Sequence, residues 1–504
     1  MIAVGTGELD DAEFHDFSLT KERADFCHLL ILSPPGKVLV NVEPAMENHN
    51  QPSLDTHHKA LSINLEAATF GSFAEIGAGQ EVARWFLQVG GGSATVAKSI
   101  SAYDKEVSDD IYGATSRYVS EQRLEAMLDK EWEQLLSQLQ RTRGDKTRFF
   151  SFVDTISARN YAGTNLPHGW IGIRFQAEPG GPQNDVILHV NLMDPTNVQQ
   201  QEAVGILGVN LIYAVFHERT TADSFVKGIA EGLAPARLEI DYLTLAGPAF
   251  GDCKSGQWNC RSLHACLVAH NFAEAVIFTN KDDFQPFTEA LYKKAVVVAP
   301  GIFQHAEKYH AQMLEAGVQK LKNEQHSDVS VLGLFGVTVP PLLDHEAGTG
   351  FEDLLQRIDA LHALGYGVLL MHERELYKMS SLIQRFTSLP IRFVIGISVM
   401  LRVFEDDYRH LGGNTLRAVS MLFFQNVRIY AFPMATAEVV DWSNKLSATG
   451  WKWTDSAGYV FADSLKPPGA LRYLYEYLLA SNFIVPVEAA EMAAMPPKAE
   501  VGSE

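Results

Sequence analysis

The chain has 504 residues, 46% of them apolar and 20% charged, with 61 acidic against 41 basic side chains and a formal charge of −20. A chain of that length exceeds one simple core and implies roughly two to four domains, and its composition is that of a globular protein that folds without disulfides. No cluster of Lys and Arg of the kind that binds phosphate backbones or anionic lipid is present, so neither nucleic acid nor a membrane surface is expected as a partner.

Residues 1–58 open on MIAVGTGELDDAEFHDF, which lacks the basic and apolar regions of a secretory signal. Strands are expected at 28–32 and 37–42 around the Pro34-Pro35-Gly36 turn, followed by a polar linker over 47–58. No stretch approaches the ~20 consecutive apolar residues of a spanning helix. The longest runs, 204–216 and 393–401, are broken by Asn210 and Ser398. Four cysteines, Cys27, Cys253, Cys260 and Cys266, are too few for a disulfide framework in so long a chain. A cytoplasmic or other reducing internal compartment follows. The spacing Cys253-x6-Cys260-x5-Cys266, with His264 inside it, is wider than the paired ligands of zinc sites, so the thiols read as free and no metal is expected.

A middle block, 59–235, carries an amphipathic helix over 121–140, with Leu124, Met127, Leu128, Trp132 and Leu135 at helical spacing. Strands follow at 148–156, 169–176 and 185–193, joined by short connections and so most simply antiparallel, before a helix over 197–217. From 236 to 435 strand-like runs alternate with helical ones, the mark of βαβ units and a largely parallel, Rossmann-like sheet. The strand at 237–245 is expected to open that block. A helical extension over 436–486 and a tail at 487–504 rich in Ala, Glu and Pro complete the chain. The expected fold class is mixed α/β, an antiparallel sheet region followed by the parallel block.

Polar residues concentrate between 66 and 213. Glu75-Ile76-Gly77-Ala78-Gly79-Gln80-Glu81 precedes a helical run with Arg84, a pattern by which backbone N–H groups approach an anion at a helix start. Gly90-Gly91-Gly92-Ser93-Ala94-Thr95, read as leading into a helix that carries Lys98, is a second such segment. Alternation in 168–176 puts Ile171, Ile173 and Phe175 on one face and His168, Trp170, Arg174 and Gln176 on the other. Asp154, Arg159, His189 and Asn191 lie on or beside neighbouring strands, and Asn197 and Gln201 open the helix at 197–217.

Together these imply an enzyme for a nucleotide or other phosphorylated small molecule. The two glycine segments hold the anion, and Arg84, Lys98 and Arg174 offset its charge. His168 or His189, with Asp154 and Glu81, moves the proton. Glu75, Gln80, Arg159, Trp170, Asn197 and Gln201 complete the binding surface. His189 as a satisfied core histidine, with Arg174 paired with Asp154, is the purely structural alternative, and a non-catalytic scaffold in a homo-oligomer or larger assembly is the rival function. His372 and Glu373, just after a strand of the parallel block, are the second choice of site.

The segments FGSFAEIGAGQEVARWFLQVGGGSATVAKSISAYDKEVSDDIYG, HGWIGIRFQ, LHVNLMDPTNVQQQEAVGILGVNLIYAVF and EALYKKAVVV resemble a family of bacterial and algal proteins that often carries the name nicotinate-nucleotide adenylyltransferase, and sometimes TonB-dependent receptor. The first name implies a nucleotide-binding α/β fold, a nucleotide cofactor and nucleotidyl transfer through an H-x-G-H motif. This chain offers only Pro167-His168-Gly169-Trp170 and Ile156-Ser157-Ala158-Arg159, in the reverse order and without the second histidine. The second name implies many alternating strands and an exported precursor, neither of which the sequence shows.

Overall fold

The structure, a computed structural model, describes residues 55–234, 236–251, 258–279, 284–304, 306–325, 329–339, 349–405, 408–412, 414–445 and 450–487. The strands expected at 28–32 and 37–42, Cys27, Cys253 and the tail beyond Val487 lie outside them. Among the described residues two large sheets and fifteen helices make a mixed α/β architecture, as the sequence pattern implied.

The first sheet has six strands: β1 (Thr69–Ile76), β2 (Val96–Ile100), β3 (Arg148–Ser157), β4 (His168–Gln176), β5 (Gln183–Leu192) and β6 (Leu238–Ala246), in the order β2-β1-β3-β4-β5-β6. β2, β1 and β3 run parallel, and β4, β5 and β6 add antiparallel. The strand expected to open the parallel block is therefore the last strand of this first sheet. One face carries α1 (Thr56–Leu65), α2 (Glu81–Gln88), α5 (Asn197–His217) and α6 (Ala222–Ile229). The other lies under α4 (Glu121–Arg143), with α3 (Lys105–Tyr112) beside it. A Cβ on Gly208 of α5 would meet Phe152, and one on Gly172 of β4 would meet Leu124 and Leu128 of α4. The two helix layers thus lie on opposite faces.

α4 begins where Ser120 accepts from the N–H of Arg123, with Glu121 in the first turn and Arg141 and Arg143 in the last, both favourable to its dipole. The segment 96–100, read from sequence as a helix, is strand β2. Four of its five residues are only partly buried, so its place on the edge of the sheet left little hydrophobic pattern to read.

After α7 (Cys260–Ala269) the second sheet is built from β7 (Ala275–Phe278), β8 (Phe284–Gln285), β9 (Lys294–Gly301), β10 (Ser330–Thr338), β11 (Gly367–Met371), β12 (Ile391–Gly396), β13 (Val427–Phe432) and, past the small ribbon of β14 (Met434–Ala435) and β15 (Tyr459–Val460), β16 (Ile484–Pro486). Its order, β16-β13-β12-β9-β10-β11-β7-β8, is parallel from β16 to β11. Read from β11 to β16, this is the doubly wound order of Rossmann-like sheets. Between these strands run α8 (Phe287–Ala290), α9 (Lys308–Glu324), α10 (Thr349–His362), α11 (Leu376–Gln384), α12 (Ile397–Glu405), α13 (Thr415–Leu422), α14 (Thr436–Lys445) and α15 (Leu471–Ala480). One hydrophobic cluster joins the first sheet to the α9 face of the second, and another fills the face under α11, α12 and α13. No helix among the described residues is long and apolar enough to cross a membrane.

Candidate functional site

The chain leaves β1 through α2 to β2 on one side, then crosses through α3 and α4 to β3 on the other side of β1. The carboxyl ends of β1 and β3 therefore flank a topological switch point, where open α/β sheets place their ligands. Glu75 and Asp154 are register partners there. Partners across a parallel ladder project on the same face, so two carboxyls stand side by side beneath α2 and α5, each only 1% exposed.

Glu75 accepts from the N–H of Val82 at 3.0 Å and of Ala83 at 2.9 Å, and so caps α2. Burial pushes its carboxyl up to about 7 against the pull of those N–H groups, with Glu81 adding to the rise. Asp154 Oδ1 accepts from the N–H of Ile76 at 3.0 Å, while its Oδ2 is buried with no partner. Burial first and the Glu75 charge second hold Asp154 well above the ordinary carboxyl range. Two adjacent carboxyls with unequal support divide the roles: Glu75, with N–H donors on both oxygens, carries the charge, and Asp154 keeps the proton.

The loop between β1 and α2 is tied down by Gly77, whose φ of +103° and whose approach to the Ile156 carbonyl leave no room for a Cβ. Gly79, at φ +76°, faces Gln201 of α5, and Gln80 donates to Ser99 at 3.0 Å. Gln200 receives the N–H of Arg159 at 3.0 Å. Of the residues singled out from sequence, Glu75, Gly77, Gly79, Gln80, Glu81, Asp154, Arg159, Asn197 and Gln201 thus belong to this end of the sheet. The helix start expected to hold an external anion already holds Glu75. A phosphate there would compete with the chain's own carboxylate.

The second glycine segment is elsewhere. Gly71, at the start of β1, donates to Thr95 O at 2.8 Å, so residues 90–95 lie at the amino ends of the strands, about 20 Å from Gly77 at 3.3 Å per residue. Gly91, Gly92 and Ser93 do not share an anion with Gly77 and Gly79. Asn64 holds this turn instead, donating to Phe86 O at 2.7 Å and Gly90 O at 2.6 Å. Asn64→Ala leaves both carbonyls unpaired and is expected to cost about 1–2 kcal/mol in urea denaturation.

The remaining candidates sit apart from the carboxyl pair. Arg84 pairs with Glu81 at 2.7 Å on the exposed face of α2, and Lys98 pairs with Glu131 of α4 at 2.6 Å. Arg174 does not meet Asp154; it holds Asp185 at 2.7 Å and Asp129 at 2.6 Å, on the α4 face. Trp170, His168 and His189 share that face, so Asp154 cannot serve as their carboxylate. His189 Nδ1 lies 2.6 Å from Asp241 instead, and its Nε2 lies 2.8 Å from His168 Nδ1. Asp241 was missed in the sequence, although a charged residue inside the apolar run LEIDYLTL was a signal for it.

His264 uses both ring nitrogens, accepting from Leu243 N–H at 3.1 Å and facing Cys260 O at 2.7 Å. Burial pushes the Cys266 thiol up to about 12. Neither is thereby poised as a metal ligand. Asp55, His57 and His58, all exposed, are the group of described residues with ligand atoms close enough to share an ion. His372 and Glu373 follow β11, and Glu373 pairs with Lys378 at 2.9 Å.

No protein-family model matches the chain, and no curated protein matches its sequence. Among solved structures it is similar to the competence/damage-inducible protein CihA of Agrobacterium tumefaciens, at 19% identity over 32% of this chain and 98% of that one, with a TM-score of 0.25. A CinA superfamily protein of Enterobacter cloacae matches at 13% identity over 34% and 98%, TM-score 0.25. One of Escherichia coli matches at 14% over 34% and 91%, TM-score 0.22. Likeness at that level transfers no activity.

Proposed function

We propose that this chain is an enzyme that runs acid–base chemistry on a small molecule held at the carboxyl ends of β1 and β3. The observation that carries this reading is the buried pair of Glu75 and Asp154 at a topological switch point, where packing alone asks for apolar residues. Glu75, raised to about 7 by burial, acts as the base, and Asp154, held well above the ordinary carboxyl range by burial and by the Glu75 charge, acts as the acid. Gln80, Gln201 and Asn197 supply amides on the rim. Arg159 supplies a cation for an anionic group, such as the phosphate of a nucleotide.

Native mass spectrometry of the purified protein, before and after denaturation, tests the reading. A small molecule retained by the wild type and held at least ten-fold more weakly by Gln201→Ala and Arg159→Ala supports it. Equal retention by all three, or a second protein at fixed stoichiometry in its place, removes it. With the substrate in hand, kcat/KM is expected to rise with pH through about 7 as Glu75 loses its proton.

A further inference from the structure

The opposite face of the first sheet holds a second proton-handling unit, independent of the carboxyl pair. Asp241, His189 and His168 form an unbroken hydrogen-bonded chain from the core to the surface. Asp241 is 3% and His189 0% exposed, whereas His168 is partly open to solvent. Trp170 and Tyr242 flank the relay, with ring centroids 5.0 Å from Trp170 to His189 and 5.2 Å from Trp170 to Tyr242. A β-bulge aims the carboxylate. His189 is the register partner of Tyr242 and Val190 that of Ile240, so Asp241 is the extra residue between them. Its second oxygen accepts from Phe287 N–H at 3.2 Å.

The partners fix the tautomers. Asp241 is an acceptor, so His189 Nδ1 carries a hydrogen, and with a single ring proton on His189 its Nε2 is the acceptor of the other bond. His168 Nδ1 must then be the donor, which leaves His168 Nε2 as a bare lone pair. Among the described residues that nitrogen has no hydrogen-bond partner.

We propose that His168 Nε2 is a general base for the hydroxyl group of a small-molecule substrate, with His189 and Asp241 as its positioning residues. The hydroxyl O–H bond breaks and its proton goes to His168 Nε2, while the oxygen keeps the electron pair. The Nδ1 proton of His168 passes to His189 Nε2, and the positive charge comes to rest beside Asp241. A C–H acid fits less well, because its carbanion needs a free cation beside the base. Arg117, the nearby guanidinium, is already held by Glu289 at 2.7 Å.

The titratable and charged groups facing His168 are His189 and Asp241 on the sheet, Arg117, and Glu289 of α8, with Glu121 of α4 beside His189. Burial and the neighbouring His189 push His168 down to about 4, against the pull of Asp241. The base is therefore unprotonated even in mildly acidic solution.

Long-range 1H–15N correlation spectra of the full chain at pH 7 read the tautomers directly. The expected result is a protonated Nδ1 and a bare Nε2 on His168, with Nδ1 of His189 protonated. A hydrogen on His168 Nε2 overturns the proposal, since that nitrogen would then donate. The variant His189→Phe, which keeps an aromatic ring beside Trp170, gives a second measurement. Without the Nδ1 partner at 2.8 Å, His168 is expected to move toward the tautomer protonated at Nε2. A His168 tautomer unchanged in that variant overturns the relay whether or not the carboxyl pair is catalytic.

Discussion

Gly77→Ala is expected to destabilise the protein by about 4 kcal/mol and Gly79→Ala by only about 1 kcal/mol, although the two glycines sit two residues apart in one loop. Both have left-handed backbones, at φ +103° and +76°, which costs an L-residue about 1–2 kcal/mol. Their surroundings separate them. A Cβ on Gly77 would lie 1.8 Å from the carbonyl oxygen of Ile156, a backbone atom that moves only if β3 moves. Forced overpacking of that kind adds about 1–3 kcal/mol. A Cβ on Gly79 would meet only the Gln201 side chain, at an ordinary 3.7 Å. Because Ile156 lies two residues past Asp154, the shift that admits a methyl group in place of the Gly77 hydrogen also separates Glu75 from its partner. Urea denaturation of both variants measures the difference, and equal midpoints would show that the loop is not pinned to β3.

How much of this was legible in the sequence depended on which rule a segment obeyed. α4 declared itself because apolar residues recur at helical spacing over its length, and β3 to β5 because alternation and a Gly/Pro turn agreed. The parallel order of the second sheet followed from strand–helix alternation. β1 was not legible: TFGSFAEI has a glycine, a serine and a glutamate in eight residues, yet seven of its positions are buried. Without that strand, Gly77 and Gly79 looked like an open anion loop, and the occupant of the helix start, Glu75, looked like a neighbour of the site.

The site itself failed along the other axis. Alternation correctly placed His168, Trp170 and Arg174 on one side of β4 and the isoleucines on the other, but a sequence does not say that both sides are covered. Asp154 was assigned to the histidines because it is close in the chain. Its register puts it with Ile171, on the far face. Asp241 was hidden by the opposite effect. Strict alternation would turn it away from Tyr242, and only the bulge brings both to the face of His189.

Asp154→Asn is expected to stabilise the protein at pH 8, to change its stability much less at pH 4.5, and to remove activity. In the folded chain burial and Glu75 keep Asp154 protonated well above the range in which an unfolded aspartate ionises. Between those limits the folded state binds more protons than the unfolded state, so this group's contribution to stability falls as pH rises. Each pH unit in that window costs about 1.4 kcal/mol. Asparagine keeps the oxygen that accepts from Ile76 N–H and presents N–H where the acid held O–H, so it imitates the protonated form at every pH. It removes the penalty above neutrality and changes little at pH 4.5, within about a unit of the pH at which an unfolded aspartate ionises. Urea midpoints at the two pH values read the difference. A variant no more stable than the wild type at pH 8 would mean that Asp154 is already ionised in the fold. The carboxyl pair would then store no proton, and its role as acid and base would fall with it. If the variant is stabilised and inactive, the chain is keeping at this position a charge that its own folding opposes, as expected of a group retained for its chemistry.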